Sequence, residues 1–130
     1  MAIKFDAYEV SVTGDFGVHV IAIVGPKVGE PDLYMMVQYE DSYSDQDVQL
    51  GMVGPYIEFC GQAWSWYGHI AYFGLSRDRI QVKMDNFAAS EMKNDGEFEV
   101  RFALDDRQFT NLRNALEKAF RDQAYFHEIN

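Results

Sequence analysis

The chain has 130 residues, a net charge of −10 and one cysteine. That length fits one domain spanning residues 1–130 with a real core, and the lone Cys60 excludes an internal disulfide. With 48% hydrophobic and 15% aromatic residues the chain is not disordered, and its acidity disfavours nucleic acid, whose phosphates demand Lys and Arg.

Short apolar stretches between turn signals predict antiparallel strands through the first part of the chain. Ile3 to Val12 reads as one strand, closed by the turn Gly14-Asp15-Phe16-Gly17, and Val18 to Val24 as a second, buried on both faces. Gly25-Pro26 opens a loop, and Leu33 to Glu40 is a third strand. Asp41 to Gly51 has few apolar residues and no helical stripe, which predicts a surface loop; Tyr56 to Cys60 is a fourth strand.

His69 to Leu75 and Arg79 to Asp85 form a hairpin closed by Ser76-Arg77-Asp78. Ile80, Val82 and Met84 alternate with polar residues, the period of a half-buried strand. Phe87 to Lys93 is a short helix before the turn Asn94-Asp95-Gly96, and Glu97 to Leu104 alternates again. Lys83 and Glu99 are expected to pair across strands. Asp105 to Arg121 is the clearest helix, with Asp105 and Gln108 spaced for a capping box and Phe109, Leu112, Leu116, Ala119 and Phe120 on one stripe. The fold class is α+β: an antiparallel sheet of about six to seven strands, the long C-terminal helix packed on it, and a short helix before the last strand.

No chemical motif survives inspection. Asp15-Phe16-Gly17 matches a kinase triplet without the companion motifs, and Ser90-Glu91-Met92-Lys93 matches a serine–lysine spacing without its partners. Asp45-Gln46-Asp47 starts like a calcium loop, but Leu50 stands where glycine is required and Tyr56 where glutamate is. Loose calcium binding by Asp41, Asp45 and Asp47 is outweighed by a solvated acidic loop. His19, His69 and His127 lie too far apart in sequence for a zinc signature. His19 reads as a hydrogen-bonded core histidine, and Cys60 as a buried, inert thiol. The expectation is a chain that is not an enzyme, with no catalytic, cofactor or metal residues.

Surfaces remain. The first 60 residues hold 10 acidic and 2 basic side chains, and no Lys or Arg occurs between Lys27 and Arg77. Within that stretch Glu40, Asp41, Asp45 and Asp47 cluster with Tyr43, and Trp64-Ser65-Trp66-Tyr67 follows. Aromatic anchors ringed by charge are how interfaces gain affinity and orientation. Trp64 and Trp66 suit core or interface equally, whereas Tyr67 and Tyr72 suit the core. Glu40, Asp41, Tyr43, Asp45, Asp47, Trp64, Trp66 and His69 are the candidate partner-binding residues. The N-terminus lacks a basic segment followed by an apolar run, and no stretch approaches the ~20 apolar residues of a membrane span. A cytoplasmic protein without membrane contact is expected.

Three stretches then stand in a telling order: Asp45-Gln46-Asp47-Val48-Gln49-Leu50-Gly51-Met52; Tyr67-Gly68-His69-Ile70 running into Leu75-Ser76-Arg77-Asp78-Arg79-Ile80; and Leu104-Asp105-Asp106-Arg107-Gln108-Phe109. From about Leu33 to Phe120 the chain resembles the Immunity protein 10 family of bacterial polymorphic toxin systems. The resemblance implies a cytoplasmic antidote that binds a cognate protein toxin, without cofactor, and blocks it; the acidity would suit a nuclease with a basic groove. It also implies a small residue before Tyr67-Gly68 and a glycine after it, where this chain carries Trp66 and His69. Beside this reading stand a regulatory or structural interaction module, monomeric or homodimeric, with no toxin partner, and an enzyme or small-ligand binder using Cys60 and His69.

Overall fold

Apolar residues take odd positions at Ile3, Phe5 and Ala7 but even positions at Val10 and Val12, so the buried face switches between them. In the computed structural model, which describes residues 3–25, 33–50, 54–60 and 63–129 (backbone only at 47 and 48), that switch is a crossing between two sheets. What reads as one strand is two. β1 (Ile3–Asp6) runs parallel to β9 (Glu97–Arg101), whereas β2 (Glu9–Asp15) pairs antiparallel with β3 (Val18–Val24).

The fold is α+β, as the sequence predicts, but the strands divide between two five-stranded sheets instead of forming one. The first sheet has the order β2-β3-β4-β5-β6, with β4 Tyr34–Glu40, β5 Tyr56–Phe59 and β6 Ser65–Tyr67. The second has the order β1-β9-β8-β7-β10, with β7 Ile70–Leu75, β8 Arg79–Met84 and β10 Phe126–Glu128. Two of its pairings, β1 with β9 and β10 with β7, are parallel, which no local turn announces. The segment expected to be all loop contains a short helix, α1 (Asp45–Gln49). The other helices are α2 (Asn86–Met92) and α3 (Asp106–Ala119).

The chain re-crosses between the sheets at Gly68 and His69, both in the left-handed region at φ 87 and 63. That conformation explains why the resemblance implies glycine after Tyr67-Gly68. Here a histidine is held in it: its carbonyl accepts from Asp85 N–H at 2.8 Å, its Nδ1 lies 2.8 Å from Asp85 Oδ2, and its ring stacks on Phe87 at 4.9 Å.

One core joins the two sheets. Ile21, Ile23, Met35, Val37, Ile57 and Phe59 from the first meet Phe73, Leu75, Ile80, Val82, Phe98 and Val100 from the second. Helix α3 lies against β2, β3 and β4, burying Leu112, Ala115, Leu116 and Ala119. Its predicted capping box is present: Asp105 accepts from Gln108 N–H at 2.7 Å, and Gln108 Oε1 accepts from Asp105 N–H at 3.0 Å. Phe120 at its end reaches Phe73 of β7 at 4.6 Å and Phe126 of β10 at 5.4 Å.

The register corrects one pairing. Lys83 stands opposite Glu97, while Glu99 stands opposite Gln81 and accepts a hydrogen bond from it at 3.2 Å. Arg79 at 3.5 Å and Arg101 at 3.4 Å complete the surroundings of this buried carboxylate.

Candidate partner-binding face

Strand alternation gives each sheet an inner face on the core and an outer face away from it. The outer positions of the first sheet are Glu9, Ser11, Thr13 and Asp15 on β2; Val18, Val20, Ala22 and Val24 on β3; Tyr34, Met36, Gln38 and Glu40 on β4; Tyr56 and Glu58 on β5; Ser65 and Tyr67 on β6. Four of these are acidic and none is Lys or Arg. All are half-buried or exposed except Glu58. The outer face of the second sheet differs. Lys4, Arg79, Lys83 and Arg101 there alternate with Asp6, Glu97 and Glu99, and much of that charge is matched in place.

On β5 of this face, Glu58 is 7% exposed. Tyr56 Oη donates to its Oε1 at 2.6 Å and Tyr34 Oη donates to its Oε2. No cation pairs with it among the described residues, so the two phenols carry its stabilisation. Burial pushes the Tyr56 hydroxyl above its ordinary range, and the Glu58 carboxylate adds to this against the Ser65 hydroxyl. Tyr67, opposite Tyr56 with ring centroids 5.2 Å apart, extends the aromatic surface. The result is a tyrosine-lined face that carries Glu58 within it and Glu9, Asp15 and Glu40 at strand ends, a composition suited to a basic partner.

The sequence-derived candidates separate into three places. Glu40, Asp41, Tyr43 and Asp45 sit where β4 leaves the sheet. Asp41 is exposed, and its Oδ1 lies 2.8 Å from His19 Nε2. His19 is therefore a half-exposed surface group stacked on Tyr39 at 4.7 Å, not the core histidine expected. Burial raises the Tyr39 hydroxyl, the Asp41 charge adds, and Arg121 opposes. Arg121 also donates to the Glu40 and Asp41 carbonyls at 3.4 and 3.3 Å, and Lys118 lines the same cleft, so two cations stand beside the cluster. Tyr43 is a staple: its hydroxyl donates to the Gly54 carbonyl at 2.8 Å and accepts from Glu40 N–H at 3.3 Å. Asp45 is exposed at the start of α1, and the Asp47 side chain lies outside the described residues.

Trp64 and Trp66 are partly buried and pack on the core. Trp66 stands opposite Ile57 on the inner face, and Trp64 meets Phe98 edge-on at 6.3 Å. His69 lies at the crossing between sheets. The tyrosines assigned to the core are instead outside. Tyr67 is 37% exposed, and half-buried Tyr72 stacks on His127 at 5.2 Å on the other outer face. The cause is parity: Trp66, not Tyr67, takes the inward position of β6.

Sequence reasoning missed Tyr34, Met36, Tyr56 and Glu58. Their signal is the alternate register of two strands whose other positions are buried. Tyr34 and Met36 masked it, because they are apolar enough to read as core. Cys60 is half-buried with Sγ 3.6 Å from the Tyr34 carbonyl. No group of three or more His, Cys, Asp or Glu among the described residues is placed to hold a metal.

No curated protein and no solved structure matches the chain. A family model described as Immunity protein 10 matches residues 5–110. That span begins well ahead of Leu33 and ends short of Phe120, taking in β2 and β3, both sheets' central strands and the capping box of α3. By that match, the chain belongs to the Immunity protein 10 family.

Proposed function

We propose that this chain neutralises a cognate bacterial toxin by binding it and covering its active or substrate-binding surface. One observation carries the reading beyond family membership: an entire sheet face combines a tyrosine-lined surface with four acidic groups and no basic one. Such a face repels nucleic acid and attracts a basic protein surface. A toxin with a cationic substrate groove, as nucleases have, fits it best, the carboxylates standing where phosphates would lie.

Asp41, Asp45 and Asp47 add acidic charge where the chain leaves β4, the Asp41 carboxylate turning to His19 and not onto the outer face. Reversing the three to lysine tests the electrostatic part of the reading. Cells producing the toxin domain encoded beside this chain's gene should lose protection with the folded variant. Full protection by that variant would exclude acidic mimicry. Binding that resists salt would do the same, because exposed pairs are screened.

A further inference from the structure

The β2–β3 hairpin closes on two residues, Phe16 and Gly17, between the paired Asp15 and Val18. Both have positive φ, 51 and 80, the signature of a type I′ turn. Gly17 suits its place. Phe16 does not: the first turn position favours Asn, Asp or Gly, and a Cβ-bearing aromatic residue is strained there. The ring gains nothing in return inside the molecule, since Phe16 is 97% exposed. Turn chemistry and solvent both select against phenylalanine at this position. An exposed side chain held in a strained conformation points to a role outside the fold.

The tip is also rigidly presented. Seven consecutive residue pairs support the hairpin, and Asp41 N–H donates to the Gly17 carbonyl at 2.9 Å, fastening the turn to the end of β4. Around it stand Asp15, Glu40 and Asp41. Close by are His19, whose ring meets Asp41, and the cations Lys118 and Arg121, the latter with its guanidinium donating to backbone carbonyls. An apolar anchor inside an acidic ring, held in place before binding, has the form of an interface hot spot.

We propose that Phe16 enters an apolar pocket, rimmed by cationic groups, on the cognate toxin. This deepens the toxin-binding reading and rests on it. The test replaces Phe16 with the residues its backbone prefers, Phe16→Asn and Phe16→Gly, and measures two quantities. The melting temperature of the free protein should hold or rise, because the turn is relieved. Affinity for the toxin domain encoded beside the gene should fall by at least roughly 30-fold, the loss expected of a hot-spot aromatic. Phe16→Trp, which keeps an aromatic ring, should retain more binding than either.

Unchanged affinity of Phe16→Asn for a toxin domain that binds the wild-type chain overturns the anchor and leaves the toxin reading standing. A toxin domain, shown active, that fails to bind the wild-type chain overturns both. A wild-type dimer that Phe16→Asn converts to a monomer places a second copy in the role of partner and overturns the proposal.

Discussion

The rings of Phe59 and Phe98 stack face to face, with centroids 3.7 Å apart and planes within 5°. Phe59 belongs to β5 of the first sheet and Phe98 to β9 of the second, so this contact joins the two sheets at the centre of the core. Both side chains are almost wholly buried. Phe98→Ala should cost about 3–5 kcal/mol, because the cavity would lie between two layers that cannot easily collapse on it. Denaturant unfolding measures this directly. A loss below ~1 kcal/mol would show that the sheets are held together elsewhere, with α3 as the next element to test.

Asp85 caps α2, its carboxylate accepting from Ala88 N–H at 3.0 Å while also meeting His69. Asp85→Ala should therefore cost about 1 kcal/mol at neutral pH. Burial alone would raise this carboxyl, but the Ala88 N–H and the His69 contact outweigh it and hold the group below its ordinary value. A lowered carboxyl stabilises the fold above its unfolded pKa, and that contribution is lost as pH falls through the folded one. The gap between wild type and Asp85→Ala should close in acid.

Glu128 shows the opposite sign. A hydrogen bond with Glu117 raises its carboxyl; burial and the Glu117 charge add, and Arg113 opposes. The raised value favours the fold in acid and loses that contribution as pH rises through the folded pKa. Once both carboxyls are ionised, two negative charges face one another between β10 and α3. Glu128→Gln should raise stability at neutral pH by less than about 1 kcal/mol, since the site is exposed, and should give no gain in acid. Thermal melts of both proteins across this range measure it.

These features differ in how far the sequence announces them. The capping box at Asp105 and Gln108 and the β7–β8 hairpin are local patterns, and both form where the spacing puts them. The parallel pairing of Ile3 with Phe98, or of Phe126 with Phe73, joins residues far apart in sequence and leaves no local period. The crossing at Gly68-His69 was hidden because histidine does not advertise a left-handed backbone. The acidity of residues 40–47 was legible as charge. The larger acidic face was not, because Glu9, Asp15, Glu40 and Glu58 are seen to share one face only when the register of four strands is known. Trp64 and Trp66 drew attention by size and turned inward, while Tyr67 beside them turned out.

The central claim is that the outer face of the β2–β6 sheet meets a toxin, and the dissociation constant of one face variant tests it most directly. Tyr67→Arg places a cation and new bulk on that face at a position already exposed, so the fold should tolerate it. Thr110→Arg, on the exposed side of α3, serves as the matched control. Titration against the toxin domain encoded beside the gene should show tight binding by wild type and Thr110→Arg, and roughly 30-fold or greater weakening by Tyr67→Arg. Equal affinity of all three proteins would contradict the account and move the interface off this sheet.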